Sequence, residues 1–135
     1  VSTSYKLGDT VITGITPGTG ASSVLANISA GSGTVKVLKA DGTENTGAVG
    51  TGNKIAVYAN GTLVKQYDVV IYGDINGDGK ISVVDLVMMQ KQILGTSQLS
   101  GAYAAAADIS RDGKVSVTDL VLLQKHIINA AQIEQ

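Results

Sequence analysis

The chain has 135 residues and a formal charge of −1, with ten basic side chains set against eleven acidic ones, and it contains no cysteine. That balance gives no electrostatic case for nucleic acid or an anionic membrane surface, and without thiols there is no disulfide framework, zinc ribbon or thiol catalysis. No apolar run approaches the ~20 residues of a membrane span.

The length fits one domain or two small ones. With five Tyr and neither Phe nor Trp, any core is built from Val, Ile, Leu and Ala, and seventeen Gly supply turns. The chain opens VSTSY, without initiator Met or export signal. It is therefore expected to be a piece of a longer polypeptide with any signal upstream.

Residues 1–72 read as a β-rich module, a small sheet crossed by one short helix. Val11-Ile12, Val35 to Leu38, Ile55 to Tyr58 and Leu63 to Tyr72 are β-branched or alternating runs, punctuated by Asp41-Gly42, Asn60-Gly61 and the glycines between Gly47 and Gly52. Asn60-Gly61 predicts a hairpin, because a type I′ turn needs φ > 0 at both central residues. A helix is expected between Ala21 and Ile28, capped by Thr19 or Ser22, with Val24, Leu25 and Ile28 facing inward. The pairs Gly18/Gly20, Gly31/Gly33 and Gly50/Gly52 read as turn glycines, since none extends to a phosphate-binding pattern. The last run leads from Tyr72 through Gly73 directly into the next element, which implies a fixed orientation between the two halves.

From Asp74 to Asp85 the chain reads DINGDGKISVVD, and from Asp108 to Asp119 it reads DISRDGKVSVTD, an offset of 34 without gaps. Oxygen donors fall at loop positions 1, 3, 5, 9 and 12, with Gly at 6, which is the spacing of a calcium loop. The ion takes six to eight oxygens, and a short loop supplies them only if alternate residues turn inward around a sharp bend. The first loop offers Asp74, Asn76, Asp78, the Lys80 carbonyl, Ser82 and Asp85. The second offers Asp108, Ser110, Asp112, the Lys114 carbonyl, Ser116 and Asp119. Position 12 is Asp where the general pattern has Glu, so each helix must start nearer the ion. Ser110 has a shorter reach than Asn or Asp, so the second site is expected to be the weaker. Six of the eleven acidic residues lie in these loops, and three clustered carboxylates repel one another without a cation. Two calcium ions would bring the formal charge to about +3.

A helix follows each loop, with Ser82 or Ser116 placed as cap and Asp85 or Asp119 three residues on. A strand-like stretch precedes the first loop, so these are half EF-hands; repeat 1 spans 74–95, an Ala-rich helix capped by Ser100 spans 100–107, and repeat 2 spans 108–129. Leu86, Met89 and Ile93 share one helical face flanked by Val83 and Leu94, and Leu120, Leu123 and Ile127 repeat it. Val84, Val87 and Met88 lie round the other side beside Lys91, as do Thr118, Val121 and Leu122 beside Lys125. An exposed apolar strip edged by Lys predicts a protein-binding face, unless the N-terminal sheet covers it.

The duplicated loop, Asp at position 12, the missing entering helix and the C-terminal location resemble dockerin modules, over Gly73 to about Ile128. Residues 1–72 resemble, more loosely, the X modules that precede dockerins and are thought to stabilise them. The resemblance implies an all-α dockerin module over 73–135, two Ca2+, a secreted or cell-surface setting, and a cohesin of a scaffold or anchoring protein as partner, as in a cellulosome. It implies a chain that is monomeric when unbound and that docks the parent polypeptide without catalysis. The positions that meet cohesin in dockerins are here Val83, Val84, Val87, Met88 and Lys91, and Val117, Thr118, Val121, Leu122 and Lys125. Many type I dockerins carry Ser-Thr at loop positions 10 and 11; Val-Val and Val-Thr here imply a more apolar contact. The two similar copies imply that a partner can be held in either of two orientations. A calcium-stabilised spacer without a dedicated partner is the alternative. An enzyme is not expected, because His126 has no nucleophile arranged around it and is expected to face solvent, and no Ser sits in a G-x-S-x-G elbow.

Overall fold

The computed structural model describes all of the chain except residues 1, 4, 9, 30–32, 97, 100, 129–132 and 134. Asn60 and Gly61 take φ of 54° and 77°, so the expected hairpin forms and joins β6 (Lys54–Ala59) to β7 (Thr62–Val69). β7 lies at the middle of a five-stranded sheet. β5 (Thr34–Leu38) pairs antiparallel with β6, β3 (Val11–Thr13) runs parallel to β7, and β2 (Lys6–Leu7) closes the far edge. A separate two-stranded ladder joins β1 (Ser2–Thr3) to β4 (Ile28–Ser29).

Alternation puts Val37, Ile55, Val57, Tyr67 and Val69 on the sheet face that carries the core, where they meet Val24 of α1 (Ala21–Ala26) and Ile28. α1 ends earlier than Ile28 and is capped differently from expectation. Gly20 occupies the N-cap with no side-chain bond. Thr19 instead donates its hydroxyl to the Thr16 carbonyl at 2.8 Å, a local turn that outcompetes helix capping.

β7 also stops short, at Val69 rather than Tyr72. Past that point the backbone leaves the ladder because Thr51 substitutes for a strand: its hydroxyl accepts the Ile71 N–H at 3.0 Å and donates to the Ile71 carbonyl at 3.1 Å. A tight turn follows, with Asp74 N–H bonded to the Ile71 carbonyl. The strand-to-loop junction is thus a short connector, Val70 to Gly73, rather than a direct passage.

Beyond it the described elements are helical: α2 (Val83–Leu94), α3 (Gly101–Ala107) and α4 (Val117–Ile127). Met89 and Leu123, one from each repeat, are fully buried and meet Ile75, Ala107 and Ile109 in a second core. Leu86, Ile93, Leu120 and Ile127 line its margin, as the helical periodicity requires. Ile75, Met89 and Leu123 are the large side chains fully buried here among the described residues, so Met89→Ala is expected to cost about 2–5 kcal/mol. α2 ends at Gly95, whose φ of 77° lets Thr96 N–H reach the Lys91 carbonyl. Ser100, the expected cap of α3, lies outside the described residues, as do Gly31 in the Gly31/Gly33 pair and Asn129 at the end of repeat 2.

Candidate metal centre

Each loop gathers its three carboxylates. Asp74, Asp78 and Asp85 bring ligand oxygens within 4.8 Å of one another, and Asp108, Asp112 and Asp119 do the same. The helix that follows each loop explains the position-12 residue. Asp85 sits three residues into α2, where Oδ2 accepts the N–H of the capping Ser82 at 2.9 Å while Oδ1 accepts the N–H groups of Ile75 and Asn76 at 2.8 and 2.9 Å. Asp119 repeats this with Ser116 at 2.9 Å and Ser110 at 2.7 Å. One carboxylate therefore ties loop start to helix start and aligns with the helix dipole.

Within the loops, Asp78 N–H bonds Asn76 Oδ1 and Lys80 N–H bonds Asp78 Oδ1, while Lys114 N–H bonds Asp112 Oδ1. These successive turns place side chains 1, 3 and 5 on one side. Position 4 is left-handed in both copies, at Gly77 (φ 80°) and at Arg111 (φ 61°). The Arg111 guanidinium lies 4.1 Å from the Tyr72 ring centroid, within the range of a cation–π contact.

Asp74 is fully buried. Its Oδ2 accepts N–H groups from Gly79 at 2.9 Å and from Thr51 at 3.0 Å, whereas Oδ1 is buried without a hydrogen-bond partner. Burial pushes this carboxyl up to about 7, against the two N–H groups that lower it, and neighbouring Asp85 and Asp78 raise it further. Asp85 is likewise raised, chiefly by burial. In the second loop Asp112 is exposed, and the Lys114 N–H leads the groups, including the nearby Asp108 and Ser110 side chains, that hold it below the usual carboxylate range. Ser110 Oγ is buried and makes no hydrogen bond of ordinary geometry.

An unpartnered buried carboxylate oxygen beside two further carboxylates is costly, and a hard divalent cation among oxygen donors removes that cost. The residues present fit such an ion. Asp74, Asp78, Asp85, Asp108, Asp112 and Asp119 would supply charge; Asn76 and Ser110 flank them within the loops, and Ser82 and Ser116 stand at the N-caps of α2 and α4.

Val83, Val84 and Val87 on α2 and Val117 and Val121 on α4 are exposed, Val84 by 55% and Val117 by 60%. Lys91, Thr118 and Lys125 are exposed with them. The sheet covers neither strip. Met88 and Leu122 differ from expectation, for both are half-buried against the second core, which their long side chains reach from the strip's edge. Leu94, expected to flank the buried face, is exposed. His126 does not simply face solvent either: it is half-buried, and its Nδ1 accepts the Ile133 N–H at 3.1 Å.

The part of the site that sequence reasoning missed is Thr51. Its N–H reaches Asp74 across 23 residues, and Gly50/Gly52 showed only turn character. No helix among the described residues is long and apolar enough to cross a membrane.

Residues 72–128 match the family model described as the dockerin type I domain. No curated protein matches the chain significantly. Among solved structures, one of a third cohesin ScaC in complex with a ScaB dockerin from Acetivibrio cellulolyticus, mutated in the N-terminal helix, is 25% identical. It covers 48% of this chain and 92% of that one, with a TM-score of 0.45. A second, mutated in the C-terminal helix, is 26% identical over 48% and 96% of the two chains, with a TM-score of 0.44. The family match coincides with both acidic loops and both of their helices, so the C-terminal region of this chain, residues 72–128, is a dockerin module.

Proposed function

We propose that the chain is a calcium-dependent, non-catalytic docking unit in two modules, with boundaries at 1–72 and 73–135. Each loop holds one Ca2+, through Asp74, Asn76, Asp78, the Lys80 carbonyl, Ser82 and Asp85 in the first and Asp108, Ser110, Asp112, the Lys114 carbonyl, Ser116 and Asp119 in the second. The ions neutralise the clustered carboxylates and so give the helical module its shape, since the free energy of binding the ion is part of the free energy of folding. Its exposed valines then meet a cohesin of a scaffold or anchoring protein outside the cell, attaching the parent polypeptide to an assembly.

The observation that carries this reading is the repetition of one acidic cage, with an unpartnered buried oxygen in the first copy, inside a segment of the dockerin family. The exposed strip centred on Val84 and Val87, repeated at Thr118 and Val121, supports the choice of contact face.

The test is calorimetric titration with calcium followed by pull-down on immobilised cohesins of different classes, with and without EGTA. Two bound ions and capture lost on chelation are expected. A helical fold and a partner grip both indifferent to EGTA would sink the proposal.

A further inference from the structure

The two loops share sequence, internal hydrogen bonds and helix caps, yet they differ in what touches them from outside. Asp108, partly exposed, is held by the N–H groups of Asp112 and Gly113, both in its own loop. Asp74 is held by Gly79 of its own loop and by Thr51 of the β-rich region. The same region makes a second bond to this loop, from Gly18 N–H to the Gly79 carbonyl at 2.8 Å.

The approach is close enough to require glycine. A Cβ at Gly50 would overlap the Gly77 carbonyl, one at Gly77 would lie 2.5 Å from the Thr51 carbonyl oxygen, and one at Gly79 would lie 2.9 Å from the Val49 carbonyl oxygen. The turn that makes this approach is stiff. Asn45 and Asn53 are buried, and Asn45 Nδ2 donates to Asn53 Oδ1 at 2.6 Å while Asn53 Oδ1 also takes the Gly50 N–H at 3.2 Å. The Thr51 hydroxyl pins the turn to the Ile71 backbone.

We infer that the Val49–Gly52 turn is an outer clamp that sets the backbone of the first cation loop before the ion arrives, making the two sites inequivalent and coupling only the first to the N-terminal sheet. This rests on the reading that both loops hold calcium. By engaging Asp74 Oδ2, the clamp leaves Oδ1 for the ion, and a loop already in place loses less entropy on binding. Coupling of this kind is reciprocal, so calcium in the first loop stabilises the sheet. Thr51 is a positioning residue here; it is not a ligand.

The experiment is a calcium titration of the full chain followed by NMR, reading the Gly79 and Gly113 amides as separate reporters of the two loops. Gly50→Ala is the principal variant, because its φ lies outside the left-handed region and its Cβ would press on the Gly77 and Gly79 backbone, separating the turn from the first loop without touching the second. Calcium affinity reported by Gly79 is expected to fall about tenfold, the scale of one buried charge-assisted hydrogen bond, with that reported by Gly113 unchanged within about twofold. Thr51→Val, which keeps the N–H but removes the bridge to Ile71, is expected to act in the same direction more weakly, and carries the test if Gly50→Ala does not fold. Equal weakening at both reporters, or none at Gly79, would overturn the clamp. Absence of calcium binding by the wild-type chain would overturn the calcium reading instead.

Discussion

Replacing Asp85 by asparagine tests how much of the first repeat depends on one carboxylate. The side chain is fully buried, and its two oxygens accept three backbone N–H groups, from Ile75, Asn76 and Ser82, at 2.8 to 2.9 Å. Asn keeps the volume and one acceptor, which can still serve Ile75 and Asn76. Its NH2 then faces the Ser82 N–H, so one charge-assisted bond is lost outright and a donor at the helix start is left unsatisfied. A lost bond of that kind costs about 1.5–3 kcal/mol, and the weakening of the other two brings the expected total to about 3 kcal/mol. For a chain of this size that lowers the midpoint of the helical transition by roughly 10 °C. The assay is thermal denaturation in saturating calcium followed by circular dichroism at 222 nm, with calorimetry to count ions. One ion fewer than wild type should bind. A midpoint within about 2 °C of wild type, with both ions retained, would show that Asp85 neither ties the loop nor closes the site.

Two further outcomes follow from the same geometry. In the metal-stripped chain, kept in calcium-free buffer, the buried Asp74 carboxyl, raised from 3.8 to about 7 chiefly by burial, keeps in the folded state a proton that the unfolded chain has released. Its stabilising contribution is complete below the unfolded value and is lost as pH rises through the folded one, so the melting temperature should decline between pH 5 and 7.5. Asp74→Asn should remove that decline, and a melting temperature that climbs with pH would contradict the burial argument. On the partner face, Val84→Ala with Val87→Ala should leave cohesin capture within a few-fold of wild type, because Thr118 and Val121 offer the equivalent surface. Alanine at all four positions should abolish capture, and abolition by the first pair alone would exclude a usable second orientation.

Much of this was legible in one dimension because the physics is local. Each acidic loop carries its oxygen donors, its bend and its helix cap within twelve consecutive residues, so the gathering of its three carboxylates is written locally. The Asn60-Gly61 hairpin is local in the same sense, and the period of Leu86, Met89 and Ile93 assigned the buried face of α2. Errors arose where neighbours decide. Helical angle alone places Met88 and Leu122 on the exposed strip, yet contact with the second core half-buries them. The end of β7 at Val69 follows from the Thr51 hydroxyl, which lies 20 residues from Ile71.

What the amino-acid order determined by itself was the pair of acidic loops, their helices and the hairpin, because each closes over short chain distances at little entropic cost. Which of two nearly identical loops is braced by the sheet was decided only in three dimensions. The contact of Val49, Gly50 and Thr51 with Asp74, Gly77 and Gly79 has no periodicity and no composition; it exists because folding of the sheet delivers that turn to the first loop and not to the second.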